Sequence, residues 1–271
     1  MVSKHTVLVA STLAILAGVG AALAEVAVKP VVVQTSAVRT GYLGTTAPDT
    51  LRIIPPAPVA GSIRYQADRS AFLATRSLKD SPRWALAIND VDLRVAKDMT
   101  CAVGVDLNAQ NAPRLTALLA KIGPDVSLAT NRPKDAYKRP RPYLVDEGPI
   151  CVDKSASLAV SPDYPSGHVT WGWTAGLILA ELAPDRATEI LVRARAYGES
   201  RMVCGVHTMS AVESGRTTAS ALVAGLHGSA EFRKDLDAAR LEVAKARAEG
   251  PVPDPAACAA EAELTRGSPY N

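Results

Sequence analysis

The four cysteines of this 271-residue sequence, Cys101, Cys151, Cys204 and Cys258, contain no Cys-x-x-Cys pair. Without closely spaced thiolates the chain has no sequence basis for a zinc site. Excess charge is equally scarce: 30 Lys and Arg stand against 27 Asp and Glu, a net of +3. A nucleic-acid-binding surface shows a much stronger basic surplus, so no nucleic acid partner is expected. After residue 24 no apolar run is long and uncharged enough to cross a bilayer. Alternation of apolar and polar residues, the mark of strands, is missing too, as are internal repeats and any second domain. What survives these exclusions is an all-α, single-domain chain.

Residues 1–24 read as a secretory signal peptide. Lys4 and His5 give a short polar start, Thr6 to Leu23 is almost wholly apolar, and Ala22-Leu23-Ala24 fits the small-x-small cleavage pattern. The run is just long enough to anchor in a membrane, but its Gly and Ala content and its ending favour cleavage. The mature chain then starts near Glu25 and holds 247 residues, 29 basic and 27 acidic. It is expected to be periplasmic or secreted, with no membrane contact after cleavage. That length allows one domain with a substantial core. In an exported protein the four cysteines permit two disulfides, whose three possible connectivities the sequence leaves open.

Residues 25–61 hold several prolines, densest at Pro55-Pro56-Ala57-Pro58, and read as an extended N-terminal arm. Residues 62–249 form the helical domain. Apolar steps of three and four predict helices over Ala67–Leu78 and Trp84–Asp98, another from Asn111 to Lys121, and a separate one from Asp125 toward Lys134. Pro133 to Pro149 reads as a loop with a short helical turn. Val169–Leu182 is a strongly apolar helix central to the core. Pro184–Tyr197 is a second, stopped by Gly198; Val206–His227 is a third, and Ala230–Glu249 a charged, exposed one. Residues 250–271 read as a loosely ordered C-terminal tail.

The chemistry concentrates around Pro165-Ser166-Gly167-His168, a turn that delivers a histidine to a helix start, where free N–H groups and the dipole suit an anion. Upstream, Lys134 is followed by Arg141-Pro142; downstream come Ser200-Arg201 and then His207. Two guanidinium forks and one ammonium match a phosphoryl oxyanion. Each of these residues has an ordinary structural reading alone: a solvated basic loop for Lys134 and Arg141, an ion pair for Arg201, a satisfied core histidine for His207.

Together, Lys-x6-Arg-Pro, Pro-Ser-Gly-His and Ser-Arg-x5-His resemble the signature of the phosphatidic acid phosphatase type 2 superfamily. Within it the chain is similar to the class A bacterial non-specific acid phosphatases, from about Tyr42 to Glu249. The resemblance implies a helical bundle of the acid phosphatase/vanadium haloperoxidase type, no cofactor or catalytic metal, and a homo-oligomer. It implies an exported acid phosphatase acting on a broad range of small phosphate monoesters, with phosphotransfer as a side activity. Lys134, Arg141 and Arg201 match the family's phosphate-binding cations, assisted by Ser166 and Gly167. His168 matches the acid that protonates the leaving oxygen, and His207 the nucleophile that becomes a phosphohistidine. With both imidazoles near their ordinary pKa of about 6.5, one neutral and one protonated, a bell-shaped rate profile on the acidic side of neutral is expected.

The chain departs from the family at one point. The third motif continues His-x3-Asp, the Asp orienting the nucleophile, and here that position is Ala211. Glu213 lies about 240° round an ideal helix from His207 and is a poor substitute. Either another group holds His207, which is the reading favoured, or the chain is a weakened or non-catalytic phosphate-binding homologue. A vanadium-dependent haloperoxidase is the competing enzyme class, because vanadate occupies the same cradle in related proteins. Trp171 and Trp173 read as packing residues, with a pocket-wall role left open; Tyr137 and Tyr143 flank the basic loop and could face an aromatic substrate. His227 reads as a helix end.

Overall fold

The computed structural model describes residues 40–270. The signal peptide at 1–24 and residues 25–39 of the arm lie outside the described residues. Within them the chain forms twelve α-helices and no strand. The sequence expectation of an all-α fold is met.

The arm carries a 3-10 turn at Gly44–Thr46 and one α-helical turn, α1 (Thr50–Ile53), then runs without helix, through a turn at Gly61, to Ser62, whose hydroxyl accepts the Tyr65 N–H and opens α2 (Ile63–Thr75). Ser81 caps α3 (Pro82–Asn89) in the same way, with Pro82 in the first turn where its missing N–H costs nothing. The helix expected from Trp84 to Asp98 is broken at Asp90. Two short helices follow, α4 (Val95–Asp98) and α5 (Thr100–Val103). The break frees Asp90 for tertiary bonds.

Next comes α6 (Pro113–Tyr137), 25 residues without interruption, where two separate helices were expected. Pro124 and Pro133 lie inside it. Each removes a backbone bond at a cost of roughly 3 kcal/mol. The continuous buried stripe of Leu115, Leu118, Ile122, Val126 and Ala129 offsets that loss. Continuity through Pro133 carries Lys134 into the last turn. Between α6 and α7 (Ala156–Val160) the chain makes the expected short turn at Pro142–Leu144.

The centre of the fold is α8 (Gly167–Leu182), apolar on nearly every side and buried or half-buried along its whole length. It packs against α6, α9 (Ala187–Val203) and α10 (Met209–Leu226), with α11 (Ala230–Glu249) closing the far side. Ile122, Ile178, Ile190, Leu222 and Phe232 bring five helices into one core. Gly198 does not stop α9. It lies where α9 meets α8, and a Cβ there would sit 3.1 Å from Val169. The true stop is Gly205, at φ +80, a left-handed turn that only glycine adopts without strain.

The helix expected from Val206 starts instead at Met209, with the Thr208 side chain as its cap. His207 therefore precedes the helix, and its relation to Ala211 is not that of neighbours on one helical face. The stretch read as a loose tail carries α12 (Pro255–Thr265), tied by a disulfide from Cys258 to Cys101 and by Arg195 Nη2 donating to Thr265 O at 2.6 Å. The other pair is Cys151–Cys204, which settles the connectivity. No helix among the described residues is long and apolar enough to cross a membrane.

Candidate active site

Lys134, Arg141, Ser166, Arg201 and His207 are all buried, although they come from three separate stretches of the chain. Their charges reach one another: His207 feels Arg141, Lys134 and Arg201, and His168 feels Arg201 and His207. The sequence-predicted residues are thus brought together around the N-terminus of α8.

Lys134 donates its ammonium to the carbonyl of Pro162. Burial, with Arg141 adding to it, pushes the Lys134 pKa down to about 8. Arg141 is fixed by its own neighbours, donating from Nε to Ser161 O at 2.8 Å and from Nη1 to Val206 O at 2.8 Å. Arg201 differs. Only 6% exposed, it leaves Nε and Nη1 without any hydrogen-bond partner, and burial lowers its pKa to about 10. A buried guanidinium with unsatisfied donors costs free energy unless an anion meets it.

Ser166 caps α8, its hydroxyl accepting the Val169 N–H at 3.3 Å, and its own N–H donates to Ala211 O at 3.0 Å. That bond joins the α8 start to α10. Gly167 and His168 occupy the first turn of α8. They line a cavity of about 500 Å³ together with Leu93, Thr130, Asn131 and Trp171. Trp171 thus takes a wall position, donating Nε1 to Leu93 O at 3.3 Å. Tyr137 packs edge-on against Tyr164 instead, and neither it nor Tyr143 lines this cavity.

The two histidines have defined tautomers. His168 Nε2 lies 2.6 Å from the carbonyl of Asp90; a carbonyl only accepts, so Nε2 carries the hydrogen and Nδ1 is left to gain a proton. The ring stacks on Tyr197 at 4.7 Å. His207 is the reverse: Arg141 Nη1 sits 3.2 Å from Nε2. Arginine has no acceptor, so Nε2 holds the lone pair and Nδ1–H donates to Asp163 Oδ1 at 3.0 Å. Burial, aided by the surrounding cations, pushes both imidazoles well below their usual pKa. The expectation of two ordinary values near ~6.5 is corrected accordingly.

Sequence reading missed Asp163, Asp90, Arg139 and Thr208. Asp163 accepts from Thr208 N–H at 3.1 Å and from Thr208 Oγ1 at 2.6 Å, with Arg139 Nη1 at 3.6 Å. Asp90 accepts from Arg193 Nη2 and from Ser200 Oγ, both at 2.5 Å. A carboxylate two residues before Pro165, set beside the missing one at 211, was the available signal for Asp163.

A family model described as the PAP2 superfamily matches residues 115–234, which include every predicted site residue. Over 217 residues the chain is 42% identical to an acid phosphatase from Zymomonas mobilis subsp. mobilis, covering 79% of this chain and 82% of that protein. The chain belongs to the PAP2 superfamily. Two further relatives place it among the superfamily's bacterial non-specific acid phosphatases. One, from Providencia stuartii, is 36% identical over 73% of this chain and 82% of its own length. The other, from Salmonella typhimurium, is 32% identical over 70% and 78%.

Proposed function

We propose that this PAP2 protein is an exported acid phosphatase that hydrolyses small phosphate monoesters of broad range through a phosphohistidine, without a metal. The observation that supports it most is the opposed pair of tautomers beside the unsatisfied Arg201: a lone pair on His207 Nε2, a proton-accepting Nδ1 on His168.

In the first step His207 Nε2 attacks phosphorus and the P–O bond to the leaving group breaks. His168, protonated at Nδ1 in the substrate complex, gives that proton to the departing oxygen. Lys134, Arg141 and Arg201, with the Gly167 and His168 N–H groups, neutralise the equatorial oxygens. In the second step His168 takes a proton from water, the hydroxide oxygen bonds to phosphorus, and the P–N bond breaks to release phosphate. The free enzyme holds His168 neutral, because of burial and then Arg201. A bound phosphate dianion reverses that balance and supplies the proton affinity the acid needs.

The relatives' acid phosphatase names favour this reading over a vanadium haloperoxidase. The Asp163–His207 pair favours it over a non-catalytic phosphate binder. The test is hydrolysis of a chromogenic phosphate ester in the presence of a chelator, comparing wild type with His207→Ala. Wild type is expected to turn over and the variant to be inactive; equal activity in both would overturn the reading.

A further inference from the structure

We propose that Asp163 is the positioning residue for His207, doing from just before the Pro-Ser-Gly-His segment what Ala211 has no side chain to do from α10. The proposal rests on the acid phosphatase reading and extends it to a residue 44 positions from the histidine it serves.

Asp163 is completely buried, and both of its carboxylate oxygens are engaged. Oδ1 accepts the His207 Nδ1–H and the Thr208 N–H; Oδ2 accepts the Thr208 hydroxyl. Its own N–H donates to Arg139 O at 2.8 Å, which fixes the backbone on which the carboxylate rides. A further layer holds Arg139: its Nη2 pairs with Asp68 Oδ2 at 2.7 Å, and its Nη1 donates to Ser210 Oγ at 2.7 Å. Asp68 in turn accepts the Ser210 N–H at 2.7 Å. The ring is thus oriented through two layers that join α2, the loop after α6 and the start of α10.

Charge makes the case stronger than geometry alone. When Nε2 bonds to phosphorus the imidazole becomes cationic, in a site that already holds Lys134, Arg141 and Arg201. A carboxylate against Nδ1 offsets that new charge and no neutral acceptor can. Burial pushes the Asp163 carboxyl up, and Arg139, the Thr208 bonds and Arg141 pull it back toward the ionised form. The same geometry gives position 211 a different duty. Ala211 is fully buried against Ile54 and Tyr164, and its carbonyl receives the Ser166 N–H. A carboxylate on that side chain would be desolvated among apolar groups, or would compete with Asp163 for one proton.

The experiment uses the mature chain. Asp163→Asn keeps the shape and removes the charge; it is expected to lower kcat by about 100-fold or more while the inhibition constant for inorganic phosphate moves less than about threefold. Ala211→Asp is expected to give no gain. A kcat for Asp163→Asn within about threefold of wild type overturns the proposal, as does a gain above about 100-fold in Ala211→Asp. His207→Ala is run alongside: if it stays active, the phosphatase mechanism itself has failed rather than the positioning role. Should Asp163→Asn not fold, nitrogen-15 NMR of wild-type His207 decides the matter. Nδ1 protonated supports the proposal, and Nε2 protonated overturns it.

Discussion

The backbone carbonyl of Asp90 holds His168 at Nε2, while the Asp90 carboxylate is clamped by Arg193 and Ser200. One residue therefore joins the floor of the site to α9, and its main chain sets the tautomer of the second histidine. Asp90→Asn leaves Arg193 buried with half its compensation. The expected cost is about 3–5 kcal/mol of stability, read by chemical denaturation, together with a fall in kcat. A variant as stable and as active as wild type would show that the clamp is dispensable.

Phosphate binding should draw a proton onto His168. Burial, then Arg201, holds the free ring's pKa well below its ordinary value; the bound dianion raises it, so binding takes protons up. Calorimetry in buffers of different ionisation enthalpy measures the number. Comparison with His168→Asn cancels protons that belong to phosphate itself. Wild type is expected to take up more protons than the variant at pH 6, and an equal count would contradict proton uptake by the ring.

Arg201→Lys tests the unsatisfied guanidinium. Lysine keeps the charge and loses the fork, so phosphate inhibition should weaken by roughly 10- to 100-fold, the worth of one or two charge-assisted hydrogen bonds. A change below about twofold would mean that Nε and Nη1 do not meet the anion.

The Cys151–Cys204 disulfide ties Cys204, which lies between Arg201 and His207 in the chain, to Cys151 across a 53-residue separation. Replacing both cysteines by serine should cost about 2–4 kcal/mol of stability and lower activity, since Cys204 fixes the turn at Gly205. Removing Cys101–Cys258, which secures α12, should lower the melting temperature with a smaller effect on kcat. The opposite ranking of the two pairs for kcat would contradict this assignment.

Trp171 on the cavity wall should matter to the organic part of the ester. Trp171→Ala is expected to lower kcat/KM for an aryl phosphate several-fold more than for a small polar ester, because buried aromatic contact is worth about 1 kcal/mol or more. Equal losses on both substrates would place the leaving group elsewhere.

Much of this was legible in the residues. Ser166 caps α8 at the Pro-Ser-Gly-His turn, a local signal that depends on a few neighbours. The three cationic and histidine clusters were legible because their spacing is local, even though their convergence is not. The continuity of α6 through Pro124 and Pro133 was not legible, since a tertiary stripe overrides a local penalty. Asp163 was hidden for a different reason: its bond to His207 depends on the meeting of two segments, and reading Val206–His227 as one helix directed attention to position 211. The same misreading concealed that the helix starts at Met209, capped by Thr208, and not at Val206. The order of α12 is likewise invisible without the Cys101–Cys258 pairing.

The most direct test is rapid chemical quench during turnover of a phosphate ester, followed by mapping of the acid-labile, base-stable phosphoryl group. The structure predicts a single phosphorylated residue, His207, bonded through Nε2. Phosphate bound through Nδ1, on another residue, or on none while the enzyme turns over would contradict it.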